Sequence, residues 1–320
     1  MRWWRRSEPR AAVVTALSGA GIATHKGNIY TKSCISGPVG RVVSWVRVTR
    51  RGRFGPRDRR HAGARRSVKL FRGSKGSRPP GRFVIVGLPR SGSTYLMTLL
   101  GSHPAVYCSG EQYNPYAIVG IGGDRDDSFE GVVRQRDADP VGFLDRFYAE
   151  RVPPGVTWAG FKFMLGHNIA AFRALAERPD IRIIYVWREN RLAQVASLIK
   201  AARTRRWAQQ TPDAHIARRI EATPRQISHR WHEFEMTDYL FQHWLAQAPH
   251  RSITLEYREL FAPGFRERLC DFLGIAPDRR MKSPLVKQGS NTIADRFEDP
   301  RAISTYFREI GHARWLEDEL

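Results

Sequence analysis

The stretch that most constrains the fold of this chain is residues 82–100, where an apolar run, a glycine-rich loop and a helical pattern follow one another. Residues 83–86 are continuously apolar and rich in β-branched side chains, which is typical of a strand buried on both faces of a parallel sheet. Residues 87–92 contain Gly, Pro, Ser and Gly, the residues of turns. Leucines then recur three and four residues apart, as on one face of a helix. A strand, loop and helix in this order direct backbone N–H groups and a positive helix end at one place, which predicts an anion site.

The loop has nearly the spacing of a nucleotide-binding phosphate loop. Gly87 and Gly92 match its two glycines, and Thr94 stands where that motif has Ser or Thr. The lysine of the motif is replaced by Ser93, and a basic residue occurs instead at Arg90. Because that lysine binds the β- and γ-phosphates, its absence argues against an ATPase or a GTPase. The loop therefore predicts a phosphate or sulfate ligand rather than a magnesium–triphosphate.

A second buried strand is predicted at residues 181–187. Arg188 follows this strand directly, and a helix that Asn190 caps comes next. Because open α/β sheets bind ligands at the carboxyl ends of their strands, Arg188 is a candidate anion ligand. Further strands are predicted at residues 105–108, 157–164 and 253–255. The alternation of strands and helices predicts an α/β fold with a parallel sheet and helices on both faces.

These segments together resemble the sulfotransferase family that uses 3′-phosphoadenosine 5′-phosphosulfate. Pro-Arg-Ser-Gly-Ser-Thr after a buried strand is similar to the loop that holds the 5′-phosphosulfate, and residues 185–197 are similar to the motif for the 3′-phosphate. The nine-residue gap between Arg188 and Ser197 resembles bacterial carbohydrate sulfotransferases of the nodulation-factor and trehalose-modifying types, whereas cytosolic members use eight. The resemblance covers residues 81–320 and implies a P-loop-like parallel sheet flanked by helices.

The resemblance also implies the activity and the residues that bind the donor. The protein would transfer a sulfuryl group to a hydroxyl of a small molecule or glycan, with a carbohydrate or glycolipid favoured, and without a metal. Arg90 stands where cytosolic members commonly have Lys, and because Arg is a poor proton donor, it would stabilise the leaving group by charge. Lys287 weakly resembles the Lys of a C-terminal donor loop. The implied donor-binding residues are Arg90, Ser91, Gly92, Ser93, Thr94, Arg188, Ser197 and Lys287.

Three residues are implied for the chemistry, Glu111, Arg90 and Lys162. Transfer to a hydroxyl requires a group that accepts its proton. Glu111, after Gly110, resembles the Gly-Glu of tyrosylprotein sulfotransferases and is the candidate base, with His103 as its rival. Lys162, in Gly-Phe-Lys-Phe-Met, resembles the acceptor-side strand of the bacterial group, so contact with the transferring sulfuryl group is implied.

The basic excess of the chain is concentrated near its start. The net charge is +22, and residues 1–80 contribute +18 of it, with 20 Lys and Arg against two acids. A composition rich in Arg, Gly and Ser predicts a disordered leader over residues 1–80 and a catalytic domain over 81–320. For the leader, an arm that contacts anionic surfaces and a start codon assigned upstream of the true one stay open as alternatives. Nucleic acid is not expected as a partner, and the sequence does not predict the oligomeric state.

Cysteine usage bears on the compartment. Cys34, Cys108 and Cys270 are odd in number and far apart, so they predict no disulfide framework. No apolar run approaches the length of a membrane span, and residues 11–22 resemble a secretory signal only weakly. We therefore expect a reducing, cytoplasmic location.

Two other functions stay open from the sequence. A P-loop kinase would use the same loop, but Ser93 replaces its lysine and no Asp ends the strand at residues 181–187. A nucleotide- or nucleic-acid-binding module would use the basic leader and leave the loop inert.

Overall fold

A computed structural model of the chain describes residues 22–25, 28–37, 40–48, 79–120, 125–208, 219–286 and 289–320. The chain divides into two compact units, Met1–Leu70 and Phe71–Leu320. Within the first unit, three consecutive antiparallel strands pair, β1 (Ile22–His25), β2 (Asn28–Gly37) and β3 (Gly40–Val48). The sequence pattern does not predict these strands. The boundary at residue 80 and the disorder expected before it stay predictions.

A five-stranded parallel sheet forms the centre of the second unit, in the order β10-β9-β4-β8-β5. A separate pair of short strands, β6 and β7, is antiparallel. The strands of this unit are β4 (Gly81–Gly87), β5 (Val106–Glu111), β6 (Ile118–Val119), β7 (Arg125–Asp126), β8 (Trp158–Met164), β9 (Ile181–Trp187) and β10 (Ser252–Glu256). The predicted α/β class with a P-loop-like parallel sheet flanked by helices is confirmed.

Helices connect these strands. They are α1 (Ser93–Gly101), α2 (Arg134–Ala138), α3 (Pro140–Glu150), α4 (Ile169–Ala176), α5 (Arg191–Thr204), α6 (Pro224–Gln247), α7 (Phe265–Leu273) and α8 (Pro300–Glu309). Asn190 caps α5, as predicted, because its side chain accepts a hydrogen bond from the Ala193 amide. Short 3₁₀ helices, Tyr257–Phe261 and Ala313–Leu316, follow β10 and α8.

The sheet is covered on both faces, and β4 shows this most clearly. Phe83 and Ile85 lie in one apolar core with side chains of α1 and α7. Val84 and Val86 point the other way, into a core with side chains of α3, α4 and α6. Because every side chain of this run is buried, it reads as continuously apolar rather than alternating. Each such side chain contributes about 1.5–3 kcal/mol by its burial.

The strand order positions the candidate site. The chain leaves β4 through α1 and reaches β5, which lies beyond β8 on one side of β4. Strand β9 lies on the other side of β4. Connections that leave in opposite directions open a crevice at the carboxyl ends of the strands, where such sheets bind ligands. The loop at residues 88–92 follows β4 at this crevice, Lys162 lies in β8, and Arg188 follows β9 directly.

Cys108 and Cys270 are free and buried in this unit, and the side chain of Cys34 lies outside the described part. None of the helices in the described ranges combines the length and the apolar character needed to cross a bilayer.

Candidate active site

The loop after β4 has a backbone that only particular residues permit. Gly92, the N-cap of α1, has φ of 96°, in the left-handed region that favours glycine. A Cβ at this position would also lie 2.6 Å from Leu260 Cδ1 and 2.9 Å from Tyr257 Cδ2. Arg90 has φ of 65°, which is uncommon for a residue with a side chain. Such backbone strain is found preferentially at functional sites.

Hydrogen bonds from outside the loop hold two of its carbonyls. Gln194 donates from Nε2 to the Pro89 carbonyl over 2.9 Å, and Arg188 donates from Nη1 to the Arg90 carbonyl over 3.1 Å. The first N–H groups of α1 have no carbonyl partner within their own helix. Ser91 is fully buried, and its Oγ has no hydrogen-bond partner among the described residues. The start of α1 thus has donors that its own helix leaves unsatisfied beside a buried hydroxyl, and anion binding at this loop stays a prediction.

Lys162 joins two of the predicted site residues on one side of the loop. Its Nζ lies 2.7 Å from Glu111 Oε1, and it donates to Thr94 Oγ1 over 2.8 Å. A β-bulge in β5 produces this alignment, because Ser109 pairs with Phe161 and Glu111 then pairs with Lys162. The extra residue re-aims the Glu111 side chain, as bulges next to active sites do.

The bulge requires a glycine at its centre. A Cβ on Gly110 would lie 2.7 Å from the Val119 carbonyl and 2.9 Å from the Gly120 carbonyl. A larger residue would therefore displace the strand pair that follows or the bulge itself. The Gly-Glu pair noted in the sequence thus has a physical basis, since the glycine lets the acid face Lys162.

The environment of Glu111 fixes its charge. Burial opposes ionisation, but the charge of Lys162 and hydrogen bonds from Lys162 and Asn114 outweigh burial, so the pKa of Glu111 is lowered to about 2. Asn114 Nδ2 donates to Glu111 Oε2 over 2.6 Å. Glu111 is therefore a carboxylate at neutral pH, with a partner on each oxygen.

Histidines near this cluster differ in their bonding. His103 uses both ring nitrogens on the backbone, since Nε2 lies 3.0 Å from the Ala276 carbonyl and Nδ1 accepts from the Ala105 amide. His103 thus has a structural role and is a poor rival for the base. His167 has a pKa lowered to about 4, by burial and then by the charge of Lys162, against the pull of Glu111. Its buried Nδ1 has no hydrogen-bond partner within the described residues.

On the other side of the loop, Arg90 and Ser197 are in contact. Arg90 donates from Nε to Ser197 Oγ over 2.9 Å. Ala196, the position used by the eight-residue spacing, is instead buried in the core between α5, α6 and α8. The nine-residue spacing therefore turns the hydroxyl toward the loop. Burial and then the charge of Arg188 lower the pKa of Arg90 to about 10, so its guanidinium stays charged at neutral pH.

Arg188 has a carboxylate partner that the sequence does not predict. Its Nε and Nη2 donate to the two carboxylate oxygens of Glu319, and both side chains are buried. The centroid of the Tyr257 ring lies 4.2 Å from the Arg188 guanidinium carbon. Arg296 Nη2 lies 3.5 Å from Glu319 Oε2. Glu319, Arg296 and Tyr257 are thus residues of this cluster that sequence reasoning missed, and no motif in the chain indicates them.

The remaining predicted residues are less central. Ser93 is buried and its Oγ lies 3.9 Å from Met164 Sδ. Lys287 lies outside the described residues, so its role stays a prediction. Among the described residues no group of three or more His, Cys, Asp and Glu is arranged to hold a metal ion.

Comparison with known proteins identifies the family. The family model described as the sulfotransferase family matches residues 81–279. This chain belongs to the sulfotransferase family. The match includes the loop, Glu111, Lys162, Arg188 and Ser197, and the predicted resemblance is confirmed.

Two relatives are nodulation proteins, the bacterial group to which the resemblance points. Nodulation protein H of Rhizobium meliloti (strain 1021) is 30% identical over 136 residues, covering 40% of this chain and 51% of that protein. Nodulation protein H of Rhizobium tropici is 31% identical over 140 residues, covering 42% and 51%. The chain thus matches about half the length of these relatives. A sulfotransferase structure from Alicyclobacillus acidocaldarius is 14% identical, with a TM-score of 0.41, covering 76% of this chain and 98% of that one.

Replacing Lys162 by Met tests the electrostatic role of this residue in the candidate site. The carboxylate of Glu111 loses its main counter-charge, so we expect the free energy of unfolding to fall by about 2–4 kcal/mol at pH 7. In the unchanged protein the stability from Glu111 is complete above its ordinary pKa of 4.5 and is lost as pH falls toward 2. In the variant, burial raises this pKa, so protonation relieves the unpaired charge. The difference between the two proteins in urea unfolding should therefore shrink between pH 7 and pH 4.

Arg134→Met is the matched control. Its ion pair with Glu130 is exposed, at 3.1 Å, and should contribute less than about 1 kcal/mol. A Lys162→Met difference that stays constant with pH would contradict the account.

Proposed function

We propose that this protein transfers a sulfuryl group from 3′-phosphoadenosine 5′-phosphosulfate to a hydroxyl of a carbohydrate or glycolipid. The observation that carries the proposal is the arrangement of two charged clusters around one anion-binding loop. One cluster contains Glu111 and Lys162, and the other contains Arg90, Ser197 and Arg188. A donor with an anion at each end and a reacting group at the loop fits this arrangement.

The donor is proposed to bind with its 5′-phosphate at the loop. The phosphate oxygens would accept hydrogen bonds from the N–H groups of residues 91–94 and from the hydroxyls of Ser93 and Thr94. The 3′-phosphate would bind Arg188 and Ser197, with Lys287 added from the resemblance. Because an arginine fork matches a phosphate in two hydrogen bonds, Arg188 suits this role.

The chemistry needs a proton acceptor and a stabilised leaving group. The acceptor oxygen forms a bond to sulfur while the bond from sulfur to the 5′-phosphate oxygen breaks, and the hydroxyl proton passes to Glu111. Negative charge grows on the departing phosphate, where Arg90 and the first N–H groups of α1 would stabilise it. Lys162 would neutralise charge on the transferring group, since its ammonium already lies between Glu111 and Thr94.

The contact between Lys162 and Thr94 favours sulfuryl transfer over the P-loop kinase alternative. In phosphate loops that bind a magnesium–triphosphate, the hydroxyl at the position of Thr94 is a ligand of the metal. Here that hydroxyl accepts a hydrogen bond from an ammonium over 2.8 Å. The ammonium of Lys162 thus contacts the hydroxyl that would otherwise bind the metal, which supports transfer without a metal.

The acceptor class rests on resemblance. The Arg188–Ser197 spacing and Gly-Phe-Lys-Phe-Met are similar to the bacterial carbohydrate group, and the matched relatives are nodulation proteins. A cytoplasmic location and contact of the basic residues 1–80 with anionic surfaces belong to the same proposal.

Incubation with a sulfur-labelled donor tests the function. The full chain is mixed with labelled 3′-phosphoadenosine 5′-phosphosulfate and a panel of sugars, glycolipids, phenols and tyrosyl peptides. We expect label on a sugar hydroxyl and none with labelled γ-phosphate of ATP. Label on phenols or peptides alone would overturn the acceptor class, and transfer from ATP alone would overturn sulfuryl transfer.

Replacing Glu111 by Gln keeps the shape of the side chain and removes the proton acceptor. We expect turnover to fall by roughly 10²–10⁴-fold, with donor affinity little changed, because the donor would not contact this carboxylate. Initial rates in the labelling assay and titration with 3′-phosphoadenosine 5′-phosphate measure the two quantities.

His167→Phe is the companion variant, because the unpartnered Nδ1 of His167 is the best rival base in the described part of the site. We expect a loss of less than about tenfold from this change. A large loss in His167→Phe with little loss in Glu111→Gln would transfer the role of base to the histidine.

A further inference from the structure

The carboxylate of Glu319 pairs with Arg188, the residue proposed above to bind the 3′-phosphate of the donor. Arg188 and Glu319 are 4% and 3% exposed, and the guanidinium contacts the carboxylate through two parallel hydrogen bonds. Such fork-to-fork pairing is also the way in which arginine binds a phosphate. The same guanidinium donates to the Arg90 carbonyl, so this carboxylate is connected directly to the loop.

A second cation lies beside the same carboxylate. Arg296 Nη2 is 3.5 Å from Glu319 Oε2, and its Nη1 donates to the Ala193 carbonyl at the start of α5. The Tyr257 ring lies against the Arg188 guanidinium and, at its edge, close to Gly92 of the loop. Two arginines thus lie beside one carboxylate in a buried site, with an aromatic ring against one of them, and these arginines would equally suit a phosphate monoester.

We propose that Glu319 is an internal occupant of the 3′-phosphate subsite, which the donor displaces when it binds. This inference rests on the proposed function, because it takes Arg188 as the 3′-phosphate ligand. It makes Glu319 a residue that sets how strongly the protein prefers nucleotides with a 3′-phosphate.

The segment that carries Glu319 is held in part by exposed hydrogen bonds, which water can replace. Thr292 donates from Oγ1 to Asp318 Oδ1, and Asn291 donates from Nδ2 to the Leu320 carbonyl, both at exposed positions. Trp315 and Leu316, by contrast, are buried in the core with α5 and α8. A short movement of residues 317–320 could therefore release Arg188 without unpacking the helix before them.

Occupancy by Glu319 has a defined effect on selectivity. A nucleotide with a 3′-phosphate binds only the fraction of molecules in which the carboxylate has left, so its apparent affinity is reduced by that fraction. Adenosine 5′-monophosphate does not use Arg188, and it binds whether or not the carboxylate is present. Removing the carboxylate should thus strengthen the binding of the nucleotide with a 3′-phosphate and leave the affinity for adenosine 5′-monophosphate unchanged.

Hydrogen exchange of the unchanged full chain tests the displacement. With 3′-phosphoadenosine 5′-phosphate we expect slower exchange at residues 88–96 and faster exchange at residues 317–320. With adenosine 5′-monophosphate we expect the first change only. Slower exchange at the loop with unchanged or slower exchange at 317–320 would overturn the inference and leave the donor site standing. No protection of the loop by either nucleotide would overturn the donor site itself.

Variants give the matching affinities. In Glu319→Gln we expect 3′-phosphoadenosine 5′-phosphate to bind ten- to a hundredfold more tightly, and adenosine 5′-monophosphate to change by less than threefold. The melting temperature without ligand should fall, because Arg188 keeps its buried charge and loses its partner. Glu319→Asp, which shortens the carboxylate and keeps its charge, should give a smaller gain and is the test if the first variant does not fold.

Glu317→Gln is the control, since it removes the same charge two residues away at an exposed position. It should leave both affinities unchanged. An affinity of Glu319→Gln for 3′-phosphoadenosine 5′-phosphate that is unchanged or weaker would show that the carboxylate only supports the fold.

Discussion

The charge of Lys162 provides the interaction on which the Glu111 side of the candidate site depends. Its ammonium lies between the Glu111 carboxylate, at 2.7 Å, and the Thr94 hydroxyl, at 2.8 Å, and so connects β5, β8 and the start of α1. Its charge keeps Glu111 ionised although burial opposes ionisation. Without this contact the candidate base would have no fixed position relative to the loop, and its pKa would rise.

Opposite charges meet on both sides of the loop, and this explains how so many ionisable groups are buried together. Arg188 pairs with Glu319 just as Lys162 pairs with Glu111, and Arg191 pairs with Asp238 at 2.6 Å. Buried pairs of this kind are costly to break but add little net stability over apolar residues. The proposed binding and catalytic roles therefore explain the pairs of Lys162 and Arg188 better than stability does.

Much of the fold and part of the site could be predicted from the sequence, because they depend on local pattern. The apolar run before Gly87, the glycine-rich turn and the helix after Ser93 lie within 20 consecutive residues. The bulge that turns Glu111 toward Lys162 depends on pairing between strands and has no local signal except Gly110. The pairing of Arg188 with Glu319 joins residues 131 positions apart, and no periodicity or motif in the sequence predicts it. The structural role of His103 likewise depends on the distant Ala276 carbonyl.

Calorimetric titration of two nucleotides tests the claim that the site binds its donor through two separate anion subsites. If Arg188 holds the 3′-phosphate, its charge-assisted hydrogen bonds contribute about 1.5–3 kcal/mol. Arg188→Ala should then weaken the binding of 3′-phosphoadenosine 5′-phosphate about ten- to a hundredfold and hardly affect the binding of adenosine 5′-monophosphate. Arg90→Ala should weaken both nucleotides, because both carry the 5′-phosphate. Equal losses for the two nucleotides in Arg188→Ala would contradict the claim, since Arg188 would then support the loop or the 5′ end rather than a second subsite.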